Sequence, residues 1–200
     1  MLRKCLVVFI LALLPFAEVR GAEVSPSPAS DGPPTSSSST SSPWETDLVS
    51  FGYTYVDFDK FNEARTREDD FRFEYRFGTP LLPAQSGALD FGINPLTGFE
   101  FSTRGQLYGF GGLAFDFLFW KHLVLTESEA AGLFSNGDAR MLGSFIEFRS
   151  QLECGWRFDN DMRLTTVVGH ISNAGLTHRN PGEELAGVYM HVPVGMIFGD

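Results

Sequence analysis

Aromatic and charged residues alternate strictly along residues 71–77, which read Phe-Arg-Phe-Glu-Tyr-Arg-Phe. Residues 144–158 alternate in a similar way, with mostly apolar residues at even positions and mostly charged residues at odd positions. Because successive side chains of a β-strand point to opposite faces, this period of two predicts strands that have one apolar and one charged face.

Eight segments carry this kind of pattern, and most are separated by short turns or longer polar connections. They cover residues 46–58, 71–78, 95–103, 106–119, 122–134, 144–157, 162–173 and 186–198. Eight is the smallest common strand number of transmembrane β-barrels. The charged faces combine opposite charges, which suits the polar interior of a small barrel whose aromatic face contacts lipid. We therefore predict an all-β fold, an eight-stranded antiparallel transmembrane β-barrel of the outer membrane.

Three features fit this barrel less well. Residues 79–94 form a long connection where a short turn is expected. Pro193 falls within the last predicted strand, where it is expected at a bulge or an unpaired position because it cannot donate to the ladder. Glu127 and Glu129 share the lipid-facing parity of their apolar neighbours. A β-bulge that shifts the register of this strand is the expected explanation.

Two segments of different character precede the barrel. Residues 1–22 combine Arg3 and Lys4 with an apolar run and small residues at the end, which predicts a secretory signal peptide. The run is shorter than the roughly 20 residues of a bilayer-spanning helix, and a retained anchor is the alternative. Residues 23–43 are rich in Ser, Thr and Pro and predict a disordered linker. The barrel domain is then residues 44–200.

Composition excludes some partners and sites. The net charge is −10 and no basic stripe is visible, which argues against a nucleic-acid partner. Of the two cysteines, Cys5 would leave with the signal peptide, so Cys154 would have no intrachain disulfide partner. No Cys/His spacing suggests a metal site.

His170, Ser172 and Glu184 are the candidate catalytic residues. His170 and Ser172 share the apolar, outward parity of the seventh predicted strand, about 6–7 Å apart at the backbone, so an imidazole and a hydroxyl can reach each other. A polar pair that faces hydrocarbon costs free energy unless its groups satisfy each other. Glu184 has the outward parity of the next strand and would hold the imidazole in the tautomer that accepts the Ser172 proton.

Asn173 and Gly175 follow the candidate nucleophile. A side-chain amide or a backbone N–H at these positions would stabilise the oxyanion of a tetrahedral intermediate. The alternative is that the Asn-Ala-Gly run only ends the strand in a turn.

The run His-Ile-Ser-Asn-Ala-Gly-Leu at residues 170–176, followed by Asn-Pro-Gly-Glu-Glu at 180–184, resembles the signature of a known family. This family is the outer-membrane lipid A 3-O-deacylases, the PagL-type acyloxyacyl hydrolases. The resemblance covers roughly residues 90–195 and is most specific in its last third.

By position, this resemblance implies that His170 is the base, Ser172 the nucleophile and Glu184 the orienting residue, with Asn173 and Gly175 near the oxyanion. It implies a serine esterase of the cell outer membrane that removes the 3-O-linked acyl chain from the lipid A of lipopolysaccharide. Such chemistry needs no metal or organic cofactor. Activity would fall at a pH low enough to protonate His170, because an imidazolium cannot act as a base.

Two other classes of protein account for part of the pattern. A non-enzymatic small outer-membrane barrel, an adhesin or a structural protein, explains the strands but not the outward His170 and Ser172. A soluble periplasmic β-sandwich or lipocalin-like binder would bury the aromatic faces. The sequence leaves open whether the barrel forms a homodimer and which acyl lengths it prefers.

Overall fold

The computed structural model describes residues 44–56, 68–138 and 141–199, so the predicted signal peptide and linker lie outside the described residues. Among the described residues, no helix is long and apolar enough to cross a membrane. The elements of this part of the chain are β1 (Leu48–Val56), β2 (Glu68–Arg76), β3 (Ala84–Ser86), β4 (Leu89–Ser102), β5 (Leu107–Phe119), β6 (Leu123–Ser135), β7 (Ile146–Arg157), β8 (Arg163–Ser172), β9 (Glu183–Pro193) and α1 (Val194–Phe198).

All pairings within the described sheet are antiparallel. The sheet closes because β1 pairs with both β2 and β9, while β2 also pairs with β4. The short strand β3 pairs with the beginning of β4 and does not belong to the closed ring. The described strands therefore form a closed, eight-stranded antiparallel barrel, and the predicted fold class is confirmed.

The last predicted strand was extended too far. Strand β9 ends at Pro193, and the short helix α1 follows directly, whereas the prediction continued the strand over 186–198. Pro193 pairs in register with Leu48 at the end of β9 and not at a bulge. Since Pro lacks a backbone N–H, the end of a strand is a position that it tolerates well.

The long connection before β4 has a simple explanation. Residues 84–86 pair with 89–91 as a short hairpin around Gly87, which has a φ of 62°. Strand β4 therefore begins at Leu89, earlier than the predicted start at residue 95. Much of the apparent connection is thus strand.

The β-bulge expected in β6 is absent from the pairing of β5 with β6. Glu127 lies opposite Phe115 and Glu129 opposite Leu113, in an unbroken register. The prediction of a bulge is therefore wrong. Both carboxylates keep the outward parity that the sequence indicated.

Charged side chains fill the interior of the barrel. Arg76 lies 2.9 Å from Glu74, 3.0 Å from Asp116 and 3.1 Å from Glu153. These carboxylates come from β2, β5 and β7, so a single guanidinium connects separate parts of the wall. Arg149 lies 3.1 Å from Glu74, and all five side chains are buried. The ion pairs thus satisfy charges that would otherwise be costly in the interior.

The opposite parity carries large apolar side chains on the outside of the barrel. Exposed members of this outward face are Phe51, Tyr53, Phe71, Phe99, Leu152, Trp156, Leu164, Val168, Val188 and Met190. An apolar outer wall around a polar interior is typical of a membrane barrel. It is the reverse of what the soluble binder would need.

We expect Arg76→Met to lower the free energy of unfolding by about 3–5 kcal/mol, because three buried carboxylates would lose their shared cation. Equilibrium unfolding by urea in detergent micelles measures this loss. Arg179→Met serves as the control, since Arg179 is exposed in the loop after β8 and its replacement should change stability by less than about 0.5 kcal/mol. Similar losses in the two variants would contradict a structural role for the interior ion pairs.

Candidate active site

His170 and Ser172 lie at the end of β8, close to the loop 173–182 that leads to β9. Both are half-buried and share the parity of Leu164 and Val168, which are 53% and 49% exposed. Both side chains therefore lie on the outer wall, as the strand parity predicted. Position 172 is the last residue of its strand, so this part of the wall adjoins the polar loop.

Glu184 is the cross-strand partner of His170. Its Oε1 lies 2.8 Å from Nδ1 of His170, and the two side chains are 34% and 36% exposed. A carboxylate at this distance accepts a hydrogen bond from Nδ1–H, which leaves Nε2 as the nitrogen that can accept a proton. The neighbouring Glu183 points inward and accepts a hydrogen bond from Gln106 at 2.8 Å. Strand parity thus distinguishes the two glutamates as predicted.

Ser172 lies two residues beyond His170 on the same face of β8, opposite Phe148 of β7. Alternate residues of a strand are separated by about 6–7 Å at the backbone. The structure therefore brings His170 and Glu184 into contact and places Ser172 beside them on one patch of the outer wall. A base, a carboxylate that orients it and a neighbouring hydroxyl are the groups that nucleophilic ester hydrolysis requires.

Asn173 follows Ser172 but is fully buried. Its amide nitrogen donates to the carbonyls of Leu142 at 3.1 Å and Arg179 at 2.8 Å, and to the hydroxyl of Thr177 at 3.1 Å. Its Oδ1 accepts a hydrogen bond from the backbone N–H of Gly175 at 3.0 Å. Asn173 therefore holds the loop after β8 together.

This loop geometry bears on the predicted oxyanion donors. The Asn173 amide already donates to Leu142, Thr177 and Arg179, and the N–H of Gly175 already donates to Asn173. Their role at the oxyanion would require these bonds to rearrange when substrate binds, and it stays a prediction. The alternative, that the Asn-Ala-Gly run makes a turn, agrees with the hydrogen bond from the Leu176 N–H to the Asn173 carbonyl at 2.9 Å.

Comparison with known proteins assigns the family. A family model described as "Lipid A 3-O-deacylase (PagL)" matches residues 37–193, which is most of the chain. The protein belongs to the PagL family of lipid A 3-O-deacylases. This membership confirms the predicted family and the prediction that the chain is an enzyme. It leaves the non-enzymatic barrel without support.

A solved structure of PagL agrees with the barrel fold, and two further solved structures are less similar. The crystal structure of the outer membrane enzyme PagL has a TM-score of 0.64 and 17% identity, and the match covers 74% of this chain and 99% of that one. De novo designed transmembrane β-barrels give 0.48 and 11%, with coverages of 74% and 96%. The Yersinia pestis outer membrane protein Ail gives 0.43 and 11%, with coverages of 74% and 99%. No curated protein matches the chain significantly.

Gly182 is a residue of this PagL-family site whose role was not predicted from the sequence. It has a φ of 64°, and a Cβ added to it would lie 2.6 Å from Cε1 and 3.1 Å from Nε2 of His170. The backbone at Gly182 therefore packs directly against the imidazole, along its Cε1–Nε2 edge. The sequence signal was the glycine two residues before Glu184, but only the fold shows what it contacts.

Among the described residues, no group of three or more His, Cys, Asp or Glu side chains could hold a metal ion.

We expect Gly182→Ala to lower kcat by about 100-fold, because the added methyl group must displace the imidazole and a shift of about 1 Å can have this effect. Gly87→Ala is the control: Gly87 has a φ of 62° but no atom within 4 Å of an added Cβ. Hydrolysis of purified lipid A in detergent micelles measures activity. Thermal unfolding measures the loss of stability that an alanine at positive φ causes in both variants. Equal activity in the two variants would contradict a positioning role for Gly182.

Proposed function

We propose that this protein is a serine esterase that removes the 3-O-linked acyl chain from lipid A, with Ser172, His170 and Glu184 as its catalytic residues. The observation that carries the proposal is the 2.8 Å contact of His170 with Glu184, beside Ser172, on the outer wall of the barrel. Membership in the lipid A 3-O-deacylase family supports the reaction.

In the proposed reaction, Oγ of Ser172 attacks the ester carbonyl while Nε2 of His170 takes its proton. The tetrahedral intermediate breaks the ester bond, and His170 returns the proton to the departing 3-hydroxyl of the sugar. An acyl-enzyme remains on Ser172. Water, deprotonated by His170, then releases the fatty acid. Glu184 stabilises the imidazolium formed in each half of the reaction.

The placement of these residues suits a lipid substrate. An acyl ester in the outer leaflet can approach the outer wall laterally, without leaving the membrane. The interior could not receive it, because buried ion pairs such as Arg76 with Glu74 and Glu153 occupy that space. The position of Ser172 at the end of β8 also brings the acyl-enzyme close to the polar loop, where water is available for the second half of the reaction.

The proposal also covers how the protein is exported and where it resides. Residues 1–22 would act as a signal peptide, residues 23–43 as a linker, and the barrel at 44–200 would reside in the outer membrane with lipopolysaccharide as its substrate. A homodimer is not required, because the candidate catalytic residues His170, Ser172 and Glu184 all lie on β8 and β9 of one chain.

We expect Ser172→Ala to abolish deacylation of lipid A, because it removes the attacking oxygen. Mass spectrometry of lipid A from cells that express the wild-type protein should show the loss of one 3-O-linked hydroxyacyl group, and this loss should be absent with the variant. Thr166→Ala is the control, since Thr166 is another exposed hydroxyl on the outward face of β8. An unchanged lipid A profile in the presence of folded wild-type protein would refute the proposal.

We expect Glu184→Ala to lower kcat by about 10²- to 10⁴-fold, because the imidazole would lose the group that orients it and stabilises its charged form. Hydrolysis of purified lipopolysaccharide in detergent measures this change. Glu183→Gln is the control, because the Glu183 side chain lies inside the barrel and contacts Gln106. A larger loss in the Glu183 variant would show that the wrong carboxylate has been assigned.

A further inference from the structure

Glu129 continues the polar row of the candidate site across the outer wall. Glu184 pairs in register with His170, His170 with Ser150, and Ser150 with Glu129. Four consecutive strands, β9 to β6, therefore each contribute one polar side chain to a single row on the outward face. The part of this row formed by Ser150 and Glu129 has no role in the reaction described above.

The two residues contact each other. Oγ of Ser150 donates a hydrogen bond to Oε2 of Glu129 at 2.8 Å, and both side chains are half-buried on the outer wall. A carboxylate offers about four acceptor positions, so Ser150 orients the group without saturating it. An acidic side chain on the lipid face of a barrel is destabilising. A hydrogen-bond donor from a bound lipid would offset that cost.

The wall beside Glu129 is recessed. A groove of about 400 Å³ is formed by Glu129 together with small and apolar residues that include Gly111, Gly112, Leu113, Ala131 and Phe148. Phe148 is the cross-strand partner of both Ala131 and Ser172. The groove thus begins one strand away from the candidate nucleophile, with an oriented carboxylate on its lining.

We propose that Glu129 is a specificity-determining residue, which accepts a hydrogen bond from a hydroxyl or amide N–H in the non-reacting part of the lipid substrate while an acyl chain occupies the groove. The inference rests on the proposed esterase function. Strands are about 4.7–4.9 Å apart, so Glu129, two strands from β8, lies roughly 10 Å from His170 along the row. Its partner must therefore be several bonds away from the ester that is cleaved.

Acylated glucosamine lipids carry both kinds of donor. The hydroxyl group of a 3-hydroxyacyl chain is one, and the N–H of an amide-linked acyl chain is the other. A phosphate group, in contrast, would be repelled by the carboxylate. In the apolar surroundings of the groove, a hydrogen bond to a charged acceptor is stronger than it would be in water.

The test compares Glu129→Leu with Glu127→Leu. Glu127 lies on the same face of the same strand but pairs with Leu152, outside the polar row. Three substrates are used: a 2-N,3-O-diacylated glucosamine phosphate with 3-hydroxyacyl chains, the same lipid without the chain hydroxyls, and a p-nitrophenyl fatty-acid ester that has no donor. Heat-modifiable migration on a gel confirms that each variant is folded.

For Glu129→Leu we expect kcat/KM on the hydroxylated lipid to fall about 10- to 100-fold, as for the loss of one hydrogen bond to a charged group. The p-nitrophenyl ester should be cleaved at the wild-type rate, and Glu127→Leu should match the wild type on every substrate. If the loss disappears with the lipid that lacks chain hydroxyls, the donor is the hydroxyl; if it persists, the donor is the amide N–H. Both results support the inference.

An equal loss on the p-nitrophenyl ester, or no loss on any substrate, would overturn the role of Glu129 while leaving the esterase intact. If the wild-type protein cleaves none of the three substrates, the proposed function itself is rejected. Ser150→Ala gives a second measurement should the Glu129 variant not fold. It removes the hydroxyl that orients the carboxylate, so a smaller loss on the same substrates supports the inference and an unchanged rate contradicts it.

Discussion

Pairing of β1 with β9 and of β2 with β4 closes the sheet, and the rest of the structure depends on this closure. In hydrocarbon, no water satisfies the backbone groups of an open strand edge, so only a closed ladder is tolerated. Closure also fixes the register, because a slip of one residue would turn every side chain of a strand to the opposite face. The same constraint that directs Arg76 inward therefore directs His170 and Ser172 outward.

The filled interior and the exterior site are two consequences of that one register. Buried ion pairs from β2, β5 and β7 occupy the interior and tie these strands to one another. The candidate catalytic pair spans two strands and needs such a stable wall, since His170 and Glu184 stay in contact only while β8 and β9 keep their pairing. The interior ion pairs thus stabilise the wall that carries the candidate site on its outer face.

Period-two alternation predicts the barrel well because it is local: each strand reveals its two faces in its own residues. It predicts the outward parity of His170, Ser172 and Glu184 for the same reason. Loop contacts are different. Asn173 bonds to the carbonyl of Leu142, 31 residues away, and no local pattern in the sequence indicates that contact. The packing of Gly182 on the imidazole likewise exists only after the loop has folded back onto β8.

The bulge expected around Glu127 and Glu129 shows where a sound general argument was insufficient. A carboxylate on the lipid face costs free energy when it is considered without its neighbours. Across the sheet, however, Glu129 lies beside Ser150 and Ser150 beside His170, so the carboxylate joins a row of polar residues and accepts a hydrogen bond from Ser150. Polar residues on this outer wall therefore lie beside one another across neighbouring, paired strands. The row leads from the candidate catalytic residues on β8 and β9 towards the groove over β5 and β6, the direction in which we infer that the lipid lies.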